Sequence, residues 1–206
     1  LYHAGGVMVI ASILSNFLNF LYSSYLGRSL SLSDFGAINL FGSLLTLIYV
    51  PIGALGSALT HQTAYLLGRW GTPVKELWVK VRRLSFNLSL GASFLYILSI
   101  PLLMRFFQFD SAVPFLLFTP AIAIGTLASV DGGFMGGALL FTYLGFLTIL
   151  EAVFKLVFAV SLTSLGAEAY VYAVLPLSMA SSFILGYYMV SRLKVKAAPK
   201  DAASEL

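Results

Sequence analysis

The chain has 206 residues, 59% of them hydrophobic and 10% charged, with a formal charge of +4 and no cysteine. A soluble domain carries about 25% charged residues, so this chain could not cover its own surface with polar groups in water. Without cysteine, disulfides and thiolate metal sites are excluded.

Several apolar runs exceed the roughly 18 residues that mark a transmembrane segment. The expected fold class is therefore all-α: a polytopic membrane protein, a bundle of six transmembrane helices at about 6–26, 35–67, 84–104, 114–130, 139–165 and 169–190. The basic residues sit beside these spans, a membrane-topology pattern, so no nucleic-acid partner is expected. No basic n-region opens the chain, so no cleavable signal peptide is read, and a start at Leu1 reads as a piece of a longer chain.

In the first span Ser12, Ser15, Asn16, Asn19 and Ser23 recur at helical spacing and share one narrow stripe. Such a stripe either hydrogen-bonds to a neighbouring membrane helix or lines a cavity. In the connection 27–36, GRSLSLSDFG, Ser33 or Asp34 is placed to cap the second span. That span runs some 30 residues, too long for a straight crossing of a core of about 30 Å, so it projects beyond the membrane. Pro51, followed by Gly53 and Gly56, marks a kink, and Ser43, Thr46, Ser57, Thr60 and His61 fall on one side. His61 reads as an interfacial histidine.

The segment 69–83, RWGTPVKELWVKVRR, holds five of the twelve Lys and Arg residues. Leu77, Trp78, Val81 and Leu84 align against Lys75, Lys80, Arg82 and Arg83, as in a short anchoring helix among lipid headgroups. The fourth span is short, ends at Asp131 and runs into GGFMGG, whose glycines allow a tight turn or a close helix approach. No strand precedes those glycines and no GK[ST] follows, so they are no phosphate loop. The turn SLGAEAY leads to the sixth span, with Pro176 and a Ser178, Ser181, Ser182 face. The polar segment 194–206 is expected to be a flexible cytoplasmic tail or linker.

Six spans with the N-terminus inside place Arg69, Lys75, Lys80, Arg82, Arg83, Arg192, Lys194, Lys196 and Lys200 on the inner side. Only Arg28 and Arg105 fall outside. Nine against two predicts N-in/C-in, with both termini cytoplasmic and the chain multi-pass in a cell (plasma or inner) membrane.

The fifth span, LLFTYLGFLTILEAVFKLVFAVSLTSL, carries Glu151 and Lys155 near its middle. Four residues apart, they share a helix face with the acid N-terminal to the base. A charge at bilayer depth costs about 2.5–3.5 kcal/mol on insertion scales and usually faces a bundle interior or a water-filled cavity. The pair reads either as part of a substrate cavity or as an intrahelical ion pair that neutralises itself.

Enzymatic chemistry finds little footing. The only histidines are His3 and His61, which leaves no base for a serine nucleophile in the later spans. Asp34, Asp110 and Asp131 fall at predicted span ends rather than as an intramembrane pair, and no cluster of metal ligands is visible. No enzyme activity and no cofactor are expected, apart from a coupling ion, H+ or Na+. A selective channel would want a ring of carbonyls or charges from several subunits; one Glu–Lys pair with polar stripes fits a solute cavity better.

The stretch YLGRSLSLSDFGAINLF resembles the join between the first two spans of oligosaccharide exporters in the multidrug/oligosaccharidyl-lipid/polysaccharide flippase superfamily. The shared pattern is Arg28, Leu30 and the triplet Asp34, Phe35, Gly36. The long second span with a mid-helix proline, the basic loop and the glycine-rich join before a Glu and Lys are also similar. The resemblance implies a two-lobe transporter that moves a lipid-linked oligosaccharide across the membrane by alternating access in cell-surface polysaccharide biosynthesis. This chain would be the N-terminal lobe, with membrane lipid, the lipid-linked oligosaccharide and the C-terminal half of the same transporter as partners. In that setting Lys155 would attract phosphate or anionic sugars and Glu151 would hold it until substrate competes. Asn16 and Asn19, with Ser12 and Ser23 on their stripe, would meet sugar hydroxyls, and Arg28 would sit at the outer mouth. The alternatives are a cation-coupled multidrug or small-molecule antiporter of the same superfamily, using Glu151, and a non-transporting membrane scaffold whose stripes are packing seams.

Overall fold

Backbone N–H and C=O groups in hydrocarbon have no water to bind, so a spanning segment must pair them within itself, as a helix does. The computed structural model describes residues 2–70 and 75–192, which follow that rule. They form α1 (Tyr2–Ser29), α2 (Leu32–Trp70), α3 (Lys75–Phe107), α4 (Val113–Gly137), α5 (Phe141–Ser164) and α6 (Val174–Arg192). A short 3-10 helix, Glu168–Ala173, precedes α6, and no strand occurs among the described residues. All six helices contain a stretch long and apolar enough to cross a membrane. The expected tail 194–206, with Lys194, Lys196 and Lys200, lies outside the described residues, as do the side chains of Arg69 and Lys75.

The third and fourth spans differ most from their expected limits, and the sixth, expected from 169, opens with the 3-10 helix before α6 begins at Val174. The third begins at Lys75 rather than near 84, so 75–83 is the opening of α3 and not a separate headgroup helix. Its apolar residues meet protein instead of lipid: Leu77 and Trp78 are buried among Val130, Phe134, Met135 and Val190, with Val81 at the edge. Leu84 alone of the four is exposed. The fourth span continues to Gly137, so GGFMGG is helical and Asp131 lies inside α4. At the start of α2 the cap is Ser31, not Ser33 or Asp34. Its Oγ accepts from the Asp34 N–H at 3.1 Å, the N-cap bond, and donates to Asp34 Oδ2 at 2.7 Å.

α4 is the hub. It packs on α2, α3 and α6, while α1 packs on α5 and α5 on α6. The α2–α4 seam is backbone against backbone: a Cβ at Gly133 would meet the Gly56 carbonyl, and one at Gly137 would meet Thr60 and Thr63. Small residues let membrane helices approach this closely, so the glycine-rich run serves contact rather than a turn. Thr60 donates to the Gly133 carbonyl at 3.1 Å and Ser129 to the Ile52 carbonyl at 3.0 Å across the same seam. Pro51 sits within α2, and the hydroxyl of Tyr49 crosses to the Ala121 carbonyl of α4 at 3.2 Å.

Three apolar clusters stack along the bundle. One at the α1–α2 end joins Tyr22, Leu26 and Ile38 to Ala159, Val171 and Val174. A second centres on Phe41, Phe115 and Phe118. The third, around Trp78, Val130 and Phe134, closes the α4–α5 end.

Replacing Gly133 by Ala is expected to destabilise the bundle by about 1–3 kcal/mol, the ordinary range for overpacking. At Gly132 a Cβ meets only Leu144 Cδ2 at 3.8 Å, so Gly132→Ala should be tolerated. Melting of the detergent-solubilised variants followed by size exclusion checks the contrast.

Candidate functional site

Glu151 and Lys155 lie one turn apart on α5, a helix of 24 residues. At 1.5 Å per residue they stand about 15 and 21 Å from its start, near mid-depth of a core of about 30 Å. Both side chains are half-buried and turned into a cavity of about 210 Å³ between α1, α4, α5 and α6. Its polar lining is Ser15 and Asn19 from α1, Asp131 from α4, Thr148, Glu151 and Lys155 from α5, and Ser182 from α6.

The two α5 charges have different surroundings. Lys155 Nζ donates to Asn19 Oδ1 at 3.1 Å and stands 5.9 Å from the Tyr22 ring. The Asn19 amide donates in turn to the Ser15 carbonyl at 3.0 Å, which fixes its orientation. Glu151 makes no hydrogen bond or ion pair among the described residues. No salt bridge or hydrogen bond joins the pair directly, although the two charges attract each other across one turn: the base is held by α1 and the acid faces the cavity.

The strongest electrostatic contact was missed by sequence reasoning. Asp131 is 2% exposed, and Arg82 Nη1 of α3 donates to its two carboxylate oxygens at 2.7 and 2.8 Å. The Trp78 indole N–H donates to the same carboxylate at 2.8 Å. Aromatic rings flank the guanidinium, with Tyr187 at 4.4 Å, Trp78 at 5.1 Å and Phe183 at 5.3 Å from its carbon. A buried charge needs a partner and hydrogen bonds to persist away from water, and this one has both. A signal was present in the chain: Trp78, Arg82, Ser85, Ser89, Ser93 and Tyr96 recur at helical spacing. Trp78, Ser85, Ser89 and Tyr96 are buried along that face. Treating 69–83 as a separate surface helix cut this stripe at Arg82.

Of the residues proposed from sequence, Asn19, Glu151 and Lys155 come together in the cavity, and Ser15 of the same stripe joins them. Ser12, Asn16 and Ser23 do not; they are exposed on the flank of α1 next to Asn19. Arg28 is exposed in the last turn of α1, away from the cavity lining. The α1 stripe spans more than one face because α5 covers only the line Ala11, Ser15, Tyr22 and Leu26, with Asn19 at its edge. On α2, Ser43, Thr46, Ser57 and His61 are likewise exposed, and only Thr60 reaches α4.

Chemically, this arrangement binds. It offers one ammonium with spare donors, one open carboxylate and several hydroxyls. Among the described residues no group of three or more His, Cys, Asp or Glu is placed to hold a metal ion. No family model matches the chain, nor does any curated protein or solved structure.

Breaking the buried pair with Arg82→Gln is expected to cost about 3–5 kcal/mol of stability, because the carboxylate is left uncompensated. Neutralising both partners, Arg82→Gln with Asp131→Asn, should recover most of that loss. Glu151→Gln should change stability by less than about 1 kcal/mol, since no direct partner is lost. Equilibrium unfolding in mixed micelles separates the three.

Proposed function

We propose that this chain is one lobe of a two-lobe transporter that flips or exports a lipid-linked oligosaccharide by alternating access, with both termini cytoplasmic. The observation that carries this reading is the polar cavity at membrane depth, where Lys155 is held by Asn19 rather than by Glu151. A flippase must keep a sugar–phosphate head group away from lipid tails, which calls for a hydrophilic cavity with a cation available to phosphate. Lys155 meets that requirement: displacing one neutral amide is easier than breaking an ion pair. Glu151, one turn away, is free to accept from sugar hydroxyls.

Two polar faces support the second lobe. Asn16, Ser12 and Ser23 on α1 and Asn39, Ser43, Thr46, Ser57 and His61 on α2 are exposed. The two helices meet around Leu26, Phe35 and Ile38 near their shared turn, and pack otherwise on α5 and α4. An amide side chain facing hydrocarbon is costly, so such faces are usually covered by protein or water. A partner lobe with a hydrated seam would supply both.

A second reading is favoured by one observation. A membrane-depth carboxylate without a direct partner, as at Glu151, is what a cation-coupled small-molecule antiporter needs for its H+ or Na+.

The chain reconstituted together with its second lobe tests the first reading. Transfer of a fluorescent lipid-linked oligosaccharide across proteoliposomes is expected to fall about tenfold or more in Lys155→Ala, the size of a lost charge-assisted hydrogen bond. Unchanged transfer at equal incorporation would sink the role of Lys155. Transfer that is absent in the parent protein, together with Glu151-dependent cation uptake, would support the antiporter.

A further inference from the structure

We infer that Arg82, which does not line the cavity, sets the charge the cavity accepts by cancelling the Asp131 carboxylate at its α4–α5 end. The inference rests on reading this cavity as the solute site.

Asp131 lines the cavity beside Gly132 and Met135, and Arg82 holds it from behind. Phe183 also lines the cavity and lies against the guanidinium, which places an aromatic wall between the two. The lining itself carries two carboxylates, Asp131 and Glu151, against one ammonium, Lys155. Taken alone it is a site for cations. Counting Arg82 makes the sum zero, and Lys155 then acts on a solute without a surplus of negative charge opposing it. The distances favour full cancellation, since one guanidinium nitrogen bridges both carboxylate oxygens at 2.7 and 2.8 Å. Arginine keeps its charge at every working pH. At about 10 Å and an effective dielectric of about 20, one uncompensated unit charge changes the local concentration of a monovalent ion by on the order of tenfold.

The chain contains no cysteine, which makes the potential directly measurable. Thr148 lines the cavity and is exposed, so Thr148→Cys places a reporter thiol there. Its thiolate attacks a methanethiosulfonate, forming a mixed disulfide and releasing methanesulfinate. The rate with a sulfonatoethyl reagent divided by that with a trimethylammonium-ethyl reagent reads the cavity's charge. In this background Asp131→Asn is expected to raise the anion-to-cation ratio by on the order of a hundredfold, about tenfold from each reagent in opposite directions, because Arg82 is then uncompensated. Adding Arg82→Gln should return the ratio to that of the parent, and Arg82→Lys, which keeps the charge without the planar fork, should leave it unchanged. A ratio insensitive to Asp131→Asn, or a double variant that stays shifted, would overturn the proposal. So would an Arg82→Lys ratio that moves, since packing rather than charge would then decide it. If Asp131→Asn alone does not fold, Arg82→Gln alone decides the matter: a ratio lowered by a similar factor supports the inference and an unchanged one refutes it. The readout needs no transported substrate, so its failure is distinguishable from failure of the transport reading.

Discussion

A carboxylate buried inside α4 is the constraint around which the α4–α5 end of the bundle is arranged. Asp131 stands between glycines and apolar residues, where an isolated charge would be expelled or neutralised. It is retained because α3 begins early enough to bring Trp78 and Arg82, one turn apart, against it. That pairing requires the first turns of α3 to lie on α4 and α6, which buries Leu77 and Trp78 and brings Tyr187 and Phe183 over the guanidinium. One ion pair thus joins three helices. Its satisfaction is shared between a hydrogen-bonding indole and stacked rings, a combination suited to the flat, weakly hydrated guanidinium and poorly matched by an ammonium.

The same pair shapes the cavity on α5. With Asp131 occupied, the polar groups left for a solute are the Lys155 ammonium, the Glu151 carboxylate and a ring of hydroxyls. Asn19 is the hinge of that arrangement. It takes Lys155 with its carbonyl oxygen and ties its own amide nitrogen to the Ser15 backbone, so α1 and α5 are linked by a contact that a stronger anion can replace. The Lys155–Asn19 bond carries a charge on one side only, whereas an anionic acceptor adds the attraction of two opposite full charges. A phosphate or carboxylate presented to Lys155 would therefore compete well. Ser182 and Gly186 keep α6 close on Leu147 at the opposite wall.

Away from the charges, the bundle is held by shape. Gly56, Gly133 and Gly137 bring α2 and α4 into backbone contact, and the threonine and serine hydroxyls of the seam close onto carbonyls across it. Lipid offers apolar surface as readily as leucine does, so close packing and hydrogen bonding, not exclusion from water, make membrane helices associate. The outward faces of α3 and α1 are rich in exposed Leu, Ile and Phe, a composition suited to lipid.

The number of spans, their approximate places and the Glu151–Lys155 pair were legible in the sequence, because uninterrupted apolar length and a charge within it are local properties of the chain. The glycines of GGFMGG were legible too, as a possible close approach. What the chain could not disclose locally was which side of each polar stripe is covered. Ser15 and Asn19 point at α5 while Ser12, Asn16 and Ser23 stay exposed. The centres of the two groups differ by only about 60° of helix rotation, and which of them is covered is set only when α1 docks on α5. The partner of Asp131 was hidden for the same reason. Arg82 lies 49 residues away, and its charge, read locally, belongs to a basic surface segment. Only the packing of α3 against α4 turned that surface cation into the counter-ion of a buried carboxylate, and left Glu151, rather than Asp131, as the cavity's open acid.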